Sequence, residues 1–176
     1  MEEKEIIERL KKGDITAKEC FVREYQNLIF NAIFQVSRDR VITEDVLQET
    51  FLRAFKYIKG FKGEANITTW LYRIAMNTLK DEFKKRKAVN MLDNPISEDI
   101  PIEYSFDEKK KIIWEGLKRL SENEREIITL VDIRGFSYEE TAKMLDVLVG
   151  TVRSRLARSR EHLRDEILKM DFFDKI

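Results

Sequence analysis

Apolar residues recur along this chain at three- and four-residue intervals, the period of a helix with one face turned inward. The pattern predicts helices at roughly 3–12, 16–37, 43–58, 67–87, 108–119, 122–134, 138–145 and 150–169. Capping signals mark several starts. Ser105/Glu108, Ser121/Glu124 and Ser137/Glu140 each have the Ser-x-x-Glu spacing in which serine and glutamate satisfy orphan backbone amides reciprocally. Gly13, Gly60, Gly63 and Gly135 fall between helices, where breakers belong. No run alternates with the two-residue period of a strand, so the expected class is all-α.

Asn90 to Ser105 departs from this pattern. It holds both prolines, Pro95 and Pro101, with Asp93, Glu98, Asp99 and Glu103 and no basic residue. That composition suits a flexible acidic linker rather than a packed element. An ordered loop lying on one domain is the alternative. The predicted organisation is thus a helical domain over 1–89, a linker over 90–107 and a four-helix domain over 108–176.

Composition sharpens the class. Of 176 residues, 43% are hydrophobic and 38% charged, with only 6 glycines and 2 prolines, a balance that favours helices with solvated faces. No apolar run is long enough to span a bilayer. The acidic first residues lack the apolar stretch of a signal peptide, so a cytoplasmic protein without membrane insertion is expected. The single cysteine, Cys20, cannot form an intramolecular bridge.

The net charge is zero, which alone speaks against nucleic-acid binding. Its distribution says otherwise. Residues 1–90 carry 18 Lys/Arg against 14 Asp/Glu, residues 91–110 carry 2 against 6, and 111–176 balance at 13 each. Within the balanced part, Arg153, Arg155, Arg158, Arg160 and Arg164 face the single Glu161 between 151 and 164. Two basic surfaces and an acidic connector lie behind the neutral total.

Projected as a helix, 150–169 places Val152, Leu156, Leu163 and Ile167 on one narrow face, with Ser159 among them. Thr151, Ser154 and Arg158 lie opposite, flanked by Arg155 on one edge and by Ala157 and Arg153 on the other. Arginine pairs bidentately with a guanine edge, and serine or threonine serves either base type. The preceding helix has the small Ala142 where two helices must cross, and the turn from Asp146 to Gly150 has the length of a helix-turn-helix. The expected role is major-groove reading by Thr151, Arg153, Ser154, Arg155 and Arg158.

Two surfaces stand out in the N-terminal half. On 43–58 the apolar face is Val46, Leu47, Thr50, Phe51, Ala54, Tyr57 and Ile58, while Asp45, Gln48, Glu49, Leu52 and Lys56 lie opposite. A lone leucine there is either an ordinary exposed apolar residue or the anchor of a protein interface. On 67–87 the core stripe is Ile67, Leu71, Ile74, Ala75 and Thr78. The far side carries Tyr72, Met76, Lys80, Phe83 and Lys87, with Arg73 and Lys84 beside them. Rings interleaved with cations suit single-stranded nucleic acid; packing of Tyr72, Met76 and Phe83 on a further helix is the alternative. The basic loop 59–66, just ahead, is placed to cradle an extruded base.

These segments resemble a known family. Thr43-Glu-Asp-Val-Leu-Gln-Glu-Thr-Phe-Leu-Arg-Ala-Phe55, Phe61-Lys-Gly-Glu64 and Thr69-Trp-Leu-Tyr-Arg-Ile-Ala-Met-Asn77 resemble the first domain of extracytoplasmic-function (ECF) sigma factors, of the sigma-70 family. Leu120, Glu124-Arg-Glu126, Gly135-Phe-Ser-Tyr-Glu-Glu140, Ala142, Val149-Gly-Thr-Val-Arg-Ser-Arg155 and Arg158 resemble their second. The match runs in order over about 15–168. It departs at Asp146 and Leu148, where the family commonly has Gly and Pro; an aspartate tolerates a left-handed turn better than most residues.

The resemblance implies a sigma factor that binds core RNA polymerase at clamp and flap and directs transcription of a stress or envelope-response regulon. It assigns Asp45, Gln48, Glu49 and Leu52 to the polymerase clamp. Lys62, Asn66, Tyr72, Arg73, Asn77 and Lys80 would recognise and melt the minus-ten element of promoter DNA. Thr151, Arg153, Ser154, Arg155 and Arg158 would read the minus-thirty-five duplex. An anti-sigma factor is the implied regulatory partner. No cofactor, metal site or catalytic residue is expected; Cys20 and His162 have the standing of structural or incidental residues, so the chain is not expected to be an enzyme. The competing reading is an independent repressor or activator that uses the same helix-turn-helix, with the N-terminal half as a sensing or dimerising module.

Overall fold

In the computed structural model, residues 2–63, 65–90 and 108–173 are described, and their regular structure is helical. The helices are α1 (Glu3–Lys11), α2 (Ile15–Ser37), α3 (Arg40–Tyr57), α4 (Ile67–Asn90), α5 (Glu108–Arg119), α6 (Glu122–Ile128), α7 (Tyr138–Leu145) and α8 (Val149–Phe173). They form two compact units, α1 to α4 and α5 to α8. Of the acidic linker expected over 90–107, Asn90 instead ends α4 and the rest lies outside the described residues, as does Ser105 of the expected Ser105/Glu108 cap.

In the first unit, α2 packs on α1, α3 and α4, and α3 packs on α4. Phe21, Ile29, Ile33, Ile67, Leu71 and Met76 are fully buried between them. Helix α3 begins three residues earlier than its apolar period suggests. Asp39 explains this, because its carboxylate accepts the Ile42 amide at 2.9 Å and caps the first turn. Thr43 and Thr50 are buried, and each returns its hydroxyl to a carbonyl four residues back, Asp39 and Val46, at 2.6 Å. A hydroxyl satisfied on its own helix removes most of the penalty of burying it.

Two expectations for this unit change. Tyr57, assigned to the apolar face, is exposed at the end of α3, where the chain tightens into a 3-10 turn over Ile58–Gly60. Tyr72 is buried, at 1% exposure, and so is Met76. Helix α4 lies against both α2 and α3, so it buries a second stripe that projection onto one core face does not reveal. Tyr72 is therefore part of the packing and not a ring offered to a base.

The second unit is built on Leu117, Leu120, Ile127, Ile128, Ala142, Val152 and Leu156, with Trp114, Val131, Tyr138 and Leu163 against them. Gly116 sets the approach of α5 to α8: a Cβ there would come within 2.9 Å of both Leu163 and Ile167. Arg125 is buried, and its guanidinium donates to the carbonyls of Leu120 and Lys118 at the end of α5. Burial opposes its charge and lowers its pKa from the usual guanidinium value. These carbonyls are among the orphans every helix end leaves.

The expected helix 122–134 is interrupted. Regular α-helix ends at Ile128 and a wider π-type turn spans Thr129–Ile133. Both remaining capping boxes form: the Ser121 and Ser137 amides donate to Glu124 and Glu140, each at 2.9 Å.

Candidate nucleic-acid interfaces and an exposed apolar stripe

Helix α8 is presented by the turn before it. Asp146 ends α7 in the left-handed region, at φ 53°, and the Val147 amide closes back on the Ala142 carbonyl at 3.0 Å. This reversal is usually made by glycine. The Leu148 carbonyl then accepts the amides of Thr151 and Val152 at 2.9 and 3.2 Å, starting α8. Leu148 offers no side-chain acceptor to the first turn, and Gly150 faces open space. The helix start thus keeps backbone donors and its positive dipole end toward solvent.

Burial on α8 follows the projected face. Val152, Leu156 and Ser159 are buried, whereas Arg153, Ser154, Arg155, Ala157 and Arg158 are exposed and Thr151 is half-buried. The arginines are not equivalent. Arg158 donates through Nε to the Ser154 carbonyl of its own helix at 3.3 Å. Arg153 lies over the ring of Tyr138 in α7, 5.9 Å from its centroid. Arg160, two helical turns beyond Arg153, is held by Asp132 of the π-type turn, with Nε donating at 3.0 Å and Nη2 at 2.5 Å. That carboxylate holds the Arg160 charge more firmly than an ordinary guanidinium.

Arg160–Asp132 and Arg153–Tyr138 are contacts the residue pattern does not announce. The seven-residue spacing of Arg153 and Arg160 puts both on one flank of α8, but their partners come from elements 28 and 15 residues away. His162 also has a place: its Nδ1 is 2.9 Å from Glu124 Oε1, at the start of α6. Burial alone would raise the Glu124 carboxyl, but hydrogen bonds from Ser121 and His162 outweigh it and lower its pKa.

On α4 the exposed side is a cation stripe. Arg73, Asn77, Lys84 and Lys87 are exposed and Lys80 is half-buried; their spacing of three and four residues aligns them. The loop before α4 is anchored at both ends. Phe61 is buried against Trp70, ring centroids 5.3 Å apart. Asn66 uses its side-chain oxygen on the Thr68 amide at 3.0 Å and its carbonyl on the Trp70 amide at 3.1 Å. Between these anchors Lys62 is exposed. The structure thus gathers Lys62, Asn66, Arg73, Asn77 and Lys80 on the loop and the outer side of α4, and leaves Tyr72 inside.

On α3, Leu52 is 57% exposed and Val41, which sequence reasoning passed over, is 61% exposed. With Asp45 and Gln48 they fall at positions 41, 45, 48 and 52, one helical stripe. The acids flanking it are engaged. Glu49 accepts Arg53 at 2.7 Å, Arg53 reaches Asp81 of α4 at 2.9 Å, and Asp45 lies 3.9 Å from Arg86. The two carboxylates around Arg53, Asp81 foremost, raise its pKa. These pairs tie α3 to α4 and leave Gln48 and the two apolar side chains facing solvent.

Among the described residues, no helix is long and apolar enough to cross a membrane. Residues 21–89 match the model for sigma-70 region 2, and residues 110–163 match that for sigma-70, region 4. The ECF RNA polymerase sigma-E factor of Haemophilus influenzae is 33% identical over 178 residues, covering 92% of this chain and 93% of that protein. The sigma-E factor of Escherichia coli K12 is 31% identical over 182 residues, covering 92% of each. Among solved structures, the sigma factor RpoE from Bartonella quintana, in complex with the anti-sigma factor NepR, superposes with a TM-score of 0.72 at 28% identity, covering 87% of this chain and 97% of that one. CnrH, solved with the cytosolic domain of CnrY, shares the fold, with a TM-score of 0.67 at 23% identity and coverage of 94% and 96%.

Proposed function

Because the chain belongs to the extracytoplasmic-function sigma factors of the sigma-70 family, we propose that it grips a promoter at two elements while docked on core polymerase. As a member of that family it binds RNA polymerase, regulates transcription and is not an enzyme. The observation that carries the finer reading is the α3 stripe, where Val41 and Leu52 stay exposed beside Asp45 and Gln48. Two large apolar side chains on one solvent face suit a protein partner. The stripe docks on the polymerase clamp, with Leu52 as its anchor.

Under this reading the α4 stripe and the loop before it engage the minus-ten element. Lys62, Arg73 and Lys80 follow phosphates, and Asn66 and Asn77 offer amides to unpaired bases. Helix α8 reads the minus-thirty-five duplex through Thr151, Arg153, Ser154, Arg155 and Arg158, and its unit meets the polymerase flap. Residues 91–107, acidic in composition, join the two grips along the chain. An anti-sigma factor holds the protein inactive, as the pairing of the Bartonella relative with NepR suggests.

Run-off transcription with core polymerase tests the whole reading. The protein should yield promoter-dependent transcripts, and Leu52→Asp should abolish them by weakening co-purification with core while leaving the thermal midpoint in place. Tight duplex binding by the protein alone, with no transcript on any promoter, would favour the independent-regulator reading instead.

A further inference from the structure

Tyr138 occupies an unusual position for a half-buried aromatic. It opens α7, directly after the Ser137 cap, and packs on the core of the second unit. Its outer ring face meets the Arg153 guanidinium at 5.9 Å. Seven residues further along α8, Arg160 is gripped by Asp132 through two nitrogens. Of these two arginines, among the described residues, only Arg160 has a carboxylate partner. Arg160 spends its charge on Asp132. Arg153 keeps its charge exposed, resting on a π face that attracts cations while leaving the guanidinium N–H edge open.

We infer that Tyr138 is a positioning residue for Arg153, holding that guanidinium on the duplex-facing flank of α8. An exposed arginine otherwise samples many rotamers and loses that freedom on binding. A ring that limits those rotamers beforehand lowers the loss, the general route by which preorganisation raises affinity. Because the bidentate pairing of arginine with a base edge depends on orientation, the effect falls on discrimination between base pairs rather than on overall attraction. This rests on the reading of Arg153 as a duplex contact.

The test uses the full chain assembled with core polymerase. Wild-type complex selects promoters from a library randomised over the upstream duplex element, and the preferred duplex and its single mismatches become the probes. Arg153→Ala identifies the base pair whose discrimination depends on Arg153. Tyr138→Leu, which keeps apolar bulk without the ring, should lower discrimination at that same pair by roughly two- to five-fold. Tyr138→Phe should retain it, and adding Tyr138→Leu to Arg153→Ala should change nothing further. Tyr138→Met, a second apolar side chain without the ring, should give the same loss and provides the reading if Tyr138→Leu fails to fold. Losses by Tyr138→Leu that are equal on all probes, or additive with Arg153→Ala, would overturn the positioning role alone. An Arg153→Ala protein with every mismatch penalty unchanged would overturn it together with the reading of Arg153.

Discussion

Helices α4 and α8 both show cations to solvent, but they are built differently. On α4 the exposed charges are led by Arg73, Lys84 and Lys87, with Lys80 half-buried and Asn77 exposed among them, along a helix buried on two sides. On α8 they are arginines set among Thr151, Ser154 and Ala157 near the helix start. A lysine ammonium is a hydrated point charge that follows a phosphate without demanding an angle. A guanidinium is a planar fork that rewards one orientation. Net charge would rank these surfaces as equals. Side-chain type and its immediate partners separate a backbone-following surface from one suited to reading base edges.

The largest expected effect concerns the junction of α5 and α6 in the second unit. Arg125 serves no surface; it fills the space under α5 and donates to the Leu120 and Lys118 carbonyls. Arg125→Ala should destabilise the second unit by about 2–3 kcal/mol, the scale of buried hydrogen bonds from a charged donor. Amide exchange on α5 to α8, read beside exchange on α2 to α4, measures it. Protection that falls equally in both sets would contradict a local role.

Next in size is the contrast itself. Arg158→Ala should cost roughly 1–3 kcal/mol at one base pair, whereas Lys84→Ala should weaken binding on all sequences and reduce the salt slope by about one. Arg158→Lys sharpens the point, since it retains charge and removes the fork. It should keep the salt dependence and lose most of the discrimination. If Arg158→Lys reads bases as well as wild type, the distinction between the two surfaces fails. The probes are preferred and mismatched promoter duplexes with the polymerase-bound protein, titrated across salt.

Most of the fold was legible because helices announce themselves through period and caps. Among the described residues, eight α-helices and two Ser-x-x-Glu boxes follow from that local signal. The losses have one physical origin, which is that a partner on another element leaves no mark in local spacing. Tyr72 and Met76 sit at positions that look outward until α2 and α3 are both in contact with α4. The partners of Arg160 and His162, Asp132 and Glu124, are 28 and 38 residues away. Exposure of Arg155 and Arg158 was readable from the arc opposite Val152 and Leu156. What was not readable is that Arg153 rests on a ring and that Asp45 and Glu49 are already paired.

A smaller effect compares two helix ends of the same design. Arg38 closes α2 at φ 60° and Asp146 closes α7 at φ 53°. Left-handed backbone strains any residue with a Cβ, arginine more than aspartate, whose short side chain is better tolerated there. Arg38→Gly and Asp146→Gly should each raise stability, by about 0.5–1 kcal/mol, in thermal unfolding of the full chain. The larger gain is expected at Arg38.

The smallest expected effect is a pH dependence at the start of α6. Glu124 has a folded-state pKa below its ordinary value of 4.5, because the Ser121 and His162 hydrogen bonds outweigh burial. A depressed carboxylate adds stability at pH values above the unfolded pKa, and that contribution disappears as pH falls through the folded one. Wild type should therefore lose part of its stability from pH 4.5 downward. Glu124→Gln should be less stable at neutral pH and flatter across that acid range. The loop before α4 offers the control, since Asn66 caps its helix with a neutral amide and cannot titrate. Acid-range amide exchange should accordingly open α6 in wild type and leave the start of α4 protected. Equal opening at both caps, or an unchanged acid limb in Glu124→Gln, would assign the pH dependence to other carboxylates.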